Sequence, residues 1–81
     1  MKRIAISSMI PRLDMKTEIP ELNNELKTMC RNKGFDFISN GNIFYNWHLC
    51  KDKVHLNYDG VEVLERNFVR YLKSLNLGNG Q

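Results

Sequence analysis

Cysteine, proline and long apolar runs are all scarce in this chain of 81 residues. The two cysteines, Cys30 and Cys50, are too few for the disulfide scaffold that stabilises many small secreted domains. No run approaches the roughly 20 apolar residues that a membrane-spanning helix needs. Pro11 also closes the first apolar stretch before a signal peptide is complete. We therefore expect a cytoplasmic protein with reduced thiols and no membrane partner.

A strong charge of either sign is also missing. The net charge is +3, the pI is about 9.0, and the lysines and arginines are scattered, which predicts a mildly basic, solvated surface. The 42% of hydrophobic and 26% of charged residues are ordinary for a globular domain and exclude a disordered chain. A chain this short buries only about 60% of its unfolded surface, so we expect one marginally stable domain that is incomplete or needs a partner.

Two helices are predicted from apolar residues that recur at spacings of three and four. The first begins near Glu18, with Thr17 as a candidate N-cap and Gly34 at its C-terminal end. Its apolar positions are Ile19, Leu22, Leu26, Met29 and Cys30. The second helix follows the candidate N-cap Asn57, and its apolar positions are Val61, Leu64, Phe68, Tyr71, Leu72 and Leu75. Both apolar faces are expected to form core or partner surface.

Two short strands are predicted on either side of the first helix. Residues 3–10 form an apolar run that stops at Pro11, which is typical of a mostly buried strand. Residues 35–39 form the second strand, and the turn sequence 40–42 follows it. A strand, a helix and a strand in this order form a βαβ unit with parallel strands. The predicted fold class is therefore α/β, a parallel βαβ unit plus a C-terminal helix.

Residues that could take part in catalysis are concentrated in the segment 52–60, directly before the last helix. Here the carboxylate of Asp52 precedes the imidazole of His55 by three residues. If the loop places Asp52 against Nδ1 of His55, the carboxylate fixes the tautomer, and Nε2 can take a proton from a nucleophile. Gly60 would allow a close backbone approach behind this loop. The pair would supply two of the three members of a catalytic triad.

This segment resembles the SGNH (GDSL-type) esterases and lipases, in which an Asp-x-x-His-Leu block precedes the last helix and supplies the orienting carboxylate and the base. The matching residues are Asp52, Val54, His55, Leu56 and Gly60. The stretch 6–12, which ends in Pro-Arg, and the stretch 35–38 look like later strands of the same family. The resemblance therefore covers nearly the whole chain.

The resemblance implies that residues 1–76 are the C-terminal part of a three-layer α/β/α (flavodoxin-like) SGNH hydrolase domain, followed by a flexible tail, 77–81. It implies Asp52 and His55 as catalytic residues, and no cofactor or metal. The family's Gly-Asp-Ser nucleophile block and its oxyanion Gly and Asn blocks are absent from this sequence. None of the four serines stands in such a turn: Ser7, Ser8, Ser39 and Ser74.

Without a nucleophile and oxyanion donors, acyl transfer cannot be completed. We therefore expect the chain alone to be inactive, and to act on an ester only when a complementary N-terminal half supplies the missing groups. A function of a different class is also open. The chain could be a small interaction module whose strand edges and apolar helix faces pair with another chain or with a second copy.

Simpler interpretations of the individual residues stay open as well. Asp52 could cap its loop, and His55 could be an ordinary hydrogen-bonded histidine. His48, Cys50 and His55 are zinc-ligand types, but without a Cys-x-x-Cys knuckle we expect no metal. The aromatic segment 45–47 near two lysines is compatible with single-stranded nucleic acid. We favour the alternative that these aromatic residues fill the gap between the sheet and the last helix.

Overall fold

The computed structural model describes residues 3–77 and shows a small α/β fold. Strands β1 (Ala5–Ser7) and β2 (Asp36–Ile38) lie side by side and parallel, and helix α1 (Glu18–Lys33) connects them. The chain thus forms a βαβ-like unit, as the alternation of strand, helix and strand predicts. The α/β class and the parallel strand pair are confirmed.

Two further helices follow the second strand. Helix α2 (Tyr45–His48) is a single turn, and helix α3 (Tyr58–Leu77) is the longest element. The C-terminal helix is confirmed, whereas α2 was not predicted because four residues carry no helical period. The predicted tail began at Leu77, which is instead the last residue of α3, and residues 78–81 lie outside the described part of the chain.

The register of the two strands leaves one edge of β1 free. Asp36 donates its N–H to the carbonyl of Ile4, and Ser8 donates its N–H to the carbonyl of Ile38, both at 2.9 Å. In a parallel pair, successive residues of a strand direct their backbone N–H and C=O groups alternately toward the partner strand and away from it. Ile4 and Ser8 face β2, and so does Ile6, midway between them. The N–H and C=O groups of Ala5 and Ser7 therefore face the free edge of β1.

A strand is present within residues 3–10, as predicted, but the prediction that it covers the whole segment and is mostly buried is wrong. Only Ala5–Ser7 are in strand conformation, and Ile4 and Met9 are 49% and 37% exposed. A two-stranded sheet has two edges, and no third strand within residues 3–77 covers that of β1. The apolar run in this segment is therefore only partly buried.

Helix α1 begins and ends close to the predicted residues. Gly34 adopts the left-handed conformation with φ 72°, and its N–H donates to the carbonyl of Cys30, which confirms the C-terminal cap. Thr17 is not an N-cap, since its backbone is already helical and its side chain makes no capping hydrogen bond. Cys30 is 1% exposed and Ile19 is 4% exposed, so these two positions of the apolar face are core, whereas Leu22 on the same face is 37% exposed.

Helix α3 begins as the sequence predicts. Asn57 Oδ1 accepts a hydrogen bond from the N–H of Gly60 at 2.8 Å, which confirms Asn57 as the N-cap. Gly60 is buried, and a Cβ atom at this position would overlap the carbonyl oxygen of His48. Glycine therefore lets the end of α2 lie directly against the first turn of α3.

Asparagines occupy the space between the strand ends and α3. Asn40 is 2% exposed, and its Nδ2 donates to Ser7 Oγ at 2.8 Å and to the carbonyl of Ser8 at 3.1 Å. Asn67 Nδ2 donates to Oδ1 of Asn40 at 3.0 Å and of Asn42 at 2.8 Å. Every buried side-chain nitrogen and oxygen in the described residues has a partner. We refer to the residues joined by these bonds as the asparagine network: Ser7, Ser8, Asn40, Asn42 and Asn67.

Of the aromatic residues in segment 45–47, Trp47 does not fill this space, so the prediction is wrong for this residue, whereas Tyr45 is half-buried. Phe44, Trp47 and Tyr58 are 57%, 75% and 94% exposed. The ring of Phe44 instead lies near the imidazole of His48, with 5.9 Å between the ring centroids. Apolar burial comes from Ile19, Cys30, Ile38, Ile43 and Leu49. Among residues 3–77, no helix has the length and hydropathy that crossing a membrane requires.

Candidate active site

The candidate site lies on the loop between α2 and α3, which we call the 49–56 loop. Leu49 and Leu56 pair in an antiparallel bridge at its base. Next to this bridge, the N–H of Cys50 donates to the carbonyl of His55 at 2.7 Å. Lys53 turns the chain in the left-handed region with φ 59°, and its N–H donates to the carbonyl of Cys50 at 2.9 Å. The loop is therefore closed by its own backbone.

The structure brings the two predicted site residues into direct contact. Asp52 Oδ2 lies 2.6 Å from Nδ1 of His55. The other carboxylate oxygen, Oδ1, accepts the backbone N–H groups of Val54 at 2.9 Å and of His55 at 3.1 Å. Asp52 thus caps the turn with one carboxylate oxygen and contacts the imidazole with the other.

The charge of Asp52 is stabilised by these same contacts. The hydrogen bond from His55, followed by those from the two backbone N–H groups, lowers the pKa of Asp52 from 3.8 to about 2. The carboxylate is therefore ionised at neutral pH and can only accept hydrogen bonds. In the neutral imidazole the proton then belongs on Nδ1, which leaves the lone pair on Nε2.

The pair is open to solvent. The side chain of His55 is 79% exposed and that of Asp52 is 49% exposed. An exposed ion pair of this kind contributes little to the stability of a fold. The exposure does allow a second molecule or chain segment to reach Nε2 of His55.

All four serine hydroxyls of the chain make hydrogen bonds elsewhere. Ser8 Oγ accepts the backbone N–H of Asn40 at 2.9 Å. Ser39 Oγ and Ser74 Oγ bond to groups within three residues of themselves, whereas Ser7 Oγ donates to the carbonyl of Ser8 and accepts from Nδ2 of Asn40. Within residues 3–77, no serine hydroxyl is hydrogen-bonded to His55, so the described contacts assign it no nucleophile.

The histidines and cysteines do not assemble into a metal site. His48 Nδ1 accepts the backbone N–H of Phe44 at 2.8 Å, and Cys50 Sγ lies 3.4 Å from the carbonyl oxygen of Leu56. Both cysteine thiols are free. No group of three His, Cys, Asp or Glu side chains in the described residues is arranged to hold a metal ion.

Sequence reasoning missed two features around the site. An open groove of about 490 Å³ runs between the C-terminal end of β1, helix α3 and the 49–56 loop. Its apolar lining is Met9, Ile10, Val54, Leu56, Leu64 and Phe68. The N–H of Leu13 also donates to the carbonyl of Lys53 at 3.0 Å, so the segment after β1 holds the tip of the loop. Both features join residues distant in sequence, and no local pattern indicates them.

Comparison with protein-family models, with curated proteins and with solved structures finds no match to this chain.

Proposed function

We propose that this chain carries the acid–base half of an SGNH-type serine ester hydrolase, as the C-terminal part of a three-layer α/β/α domain. His55 is the general base and Asp52 is the carboxylate that orients it. The observation that carries the proposal is the 2.6 Å contact between Nδ1 of His55 and Oδ2 of Asp52. The exposed imidazole next to a strongly acidic carboxyl is the arrangement that a serine nucleophile requires.

The chemistry follows from this arrangement. Nε2 of His55 takes the proton of a serine hydroxyl as the serine oxygen bonds to the ester carbonyl carbon. The resulting imidazolium, stabilised by Asp52, gives the proton to the leaving alcohol oxygen as the ester C–O bond breaks. A water molecule, deprotonated by the same nitrogen, then releases the acid and restores the serine.

The serine and the oxyanion donors come from a complementary N-terminal half in this proposal. The free edge of β1 and the apolar groove beside it support such a half, because an additional parallel strand there would bond the free groups of Ala5 and Ser7. Strand addition at this edge would also bring new residues to the same end of the sheet as the 49–56 loop.

The test is complementation in solution. The purified chain is mixed with an N-terminal half that carries Gly-Asp-Ser, taken from the flanking reading frame, and hydrolysis of an activated ester is followed. The chain alone should give no more than exposed imidazoles and thiols give, and Cys50→Ala removes the exposed thiol from that background. The mixture should hydrolyse the ester, and His55→Ala should abolish this activity while the halves still associate.

His48→Asn is the matched control for the loss of a histidine, because asparagine can still accept the N–H of Phe44. It should retain the activity of the mixture. Activity that survives His55→Ala, or association without any hydrolysis, would contradict the proposed function.

The second candidate function is that of an interaction module, and the free β1 edge with its groove is the observation that favours it. The partner is then a chain that adds a strand to β1 and places apolar side chains in the groove. In this case the chain binds the partner, and His55→Ala and Asp52→Asn leave binding unchanged. The same mixing experiment separates the two functions, since only the first produces hydrolysis.

A further inference from the structure

Asn57 makes more contacts than an N-cap requires. Besides accepting the N–H of Gly60, its side chain donates both protons of Nδ2, to the carbonyl of Trp47 at 2.9 Å and to that of Leu49 at 3.2 Å. Its own backbone N–H donates to the carbonyl of His48 at 2.9 Å. These three carbonyls lie at the C-terminal end of α2. Asn57 therefore joins the end of α2 to the start of α3.

These contacts lie at the base of the 49–56 loop. Asn57 directly follows Leu56, and one of its acceptors is the carbonyl of Leu49, the residue that pairs with Leu56. The amide is therefore a second clamp beside the backbone bridge. His55 lies only two residues away from this clamp.

Packing does little to hold the Asp52–His55 pair, because the side chain of His55 is 79% exposed and that of Asp52 is 49% exposed. Asp52 is tied instead to its own turn, through the bonds that its Oδ1 accepts from the N–H groups of Val54 and His55. The separation of the two side chains is set by the backbone of the loop, and the backbone of the loop is set at its base and at the Leu13 contact with Lys53.

We propose that Asn57 is a positioning residue for His55, and that the two hydrogen bonds from its Nδ2 keep Nδ1 of the imidazole on Asp52. This inference rests on the proposed function, because it assigns Asn57 a part in preparing the base. It differs from capping α3, which uses the opposite side of the amide, Oδ1.

The two roles can be separated by substitution. Asn57→Asp keeps an oxygen acceptor for the N–H of Gly60 and loses both Nδ2 donors. Asn57→Ser also retains a good N-cap and loses the donors without adding a charge. Asn46→Asp is the matched control, since Asn46 is exposed on α2 and makes no side-chain hydrogen bond in the described residues.

The measurement is the side-chain ¹⁵N NMR spectrum of His55 in the free chain at pH 9.5, which distinguishes the two neutral tautomers. The wild type and Asn46→Asp should show the proton on Nδ1. Asn57→Asp and Asn57→Ser should lose this signal and resemble Asp52→Asn, while circular dichroism shows that the helices remain. Helix capping alone does not move the tautomer of a histidine outside the helix.

Retention of the wild-type tautomer in both Asn57 variants would overturn the inference, and so would the loss of all helical signal in both. Complementation distinguishes this failure from that of the proposed function. If the tautomer responds to Asn57 but no N-terminal half confers hydrolysis, the positioning role stands and the proposed enzyme function fails. If hydrolysis is found but is equal in Asn57→Ser and the wild type, the positioning role fails alone.

Discussion

Asn67 Nδ2 donates a hydrogen bond to Oδ1 of Asn40 at 3.0 Å, and both side chains are almost completely buried. This contact joins the middle of α3 to the segment that follows β2. A buried amide is costly unless it is hydrogen-bonded, so the contact defines one position of α3 relative to the strand ends. The asparagine network therefore helps to fix the fold at the C-terminal ends of the two strands, the end of the sheet at which the candidate site lies.

We expect Asn40→Ala to destabilise the chain by about 1–3 kcal/mol, because it removes the buried hydrogen bonds from Asn40 Nδ2 to the carbonyl of Ser8 and from Asn67 Nδ2 to Asn40 Oδ1. Urea denaturation followed by circular dichroism measures the free energy of unfolding. Asn24→Ala, at an exposed position of α1, is the control and should change stability by no more than about 0.5 kcal/mol. Equal effects of the two substitutions would contradict the role of the network.

Gly60→Ala should also destabilise the chain, although alanine is the better helix former by about 1 kcal/mol. The added Cβ overlaps the carbonyl oxygen of His48, and overpacking of this kind costs about 1–3 kcal/mol. Gly41→Ala is the matched control, since its Cβ would lie an ordinary 3.4 Å from Ser39 Oγ. The urea midpoint of unfolding should fall more in Gly60→Ala than in Gly41→Ala. A gain in stability for Gly60→Ala would show that α2 does not lie against α3.

The pKa of Asp52 gives a prediction for acid pH. Because its pKa in the folded chain is about 2 and its ordinary value is 3.8, Asp52 stabilises the fold above pH 3.8, and this contribution is lost as the pH falls through 2. A ¹³C NMR titration of the carboxyl should give a value near 2. His55→Ala should raise it, because the hydrogen bond from His55 is the largest cause of the shift.

Asp14 is the internal control in this titration. Its contact with Arg12 lowers the pKa of Asp14, and His55→Ala does not touch that contact. The Asp14 curve should therefore be the same in both proteins. An unchanged Asp52 curve in His55→Ala would mean that the contact between Asp52 and His55 is absent in solution.

The free edge of β1 predicts self-association of the isolated chain. Sedimentation should show species larger than the 9.5 kDa monomer. Ala5→Lys places a charge at the exposed edge and should shift the chain toward monomer. Thr28→Lys adds the same charge on the exposed part of α1 and should leave the distribution unchanged, whereas a wild type that is monomeric throughout would refute the prediction.

The sequence predicts those parts of the fold that depend on residues close together in the chain. The helices themselves, the left-handed Gly34 and the N-cap Asn57 are all local patterns. The contact between Asp52 and His55 is predictable for the same reason, because a tight turn brings residues three apart into contact. Burial of the apolar face of α3 is not a local pattern, since Val61, Phe68 and Leu72 are 52%, 37% and 56% exposed.

The features that sequence reasoning missed depend on distant residues. Asn40 belongs to a segment typical of exposed turns, yet it is buried because Ser8, directly after β1, and Asn67, on α3, supply its partners. The exposure of Trp47 was missed because an aromatic side chain favours burial in general, and only the position of α2 decides otherwise.

The crossover between β1 and β2 has a consequence for the order of folding. Each strand is three residues long, so strand pairing alone offsets little of the entropy of closing the chain between them. The 16-residue helix α1 forms from local contacts and becomes a rod about 24 Å long, which leaves only the segment 8–17 and the turn 34–35 to close. Strand pairing then follows α1, and substitutions in α1 should change the refolding rate, whereas substitutions in the strands should change the unfolding rate.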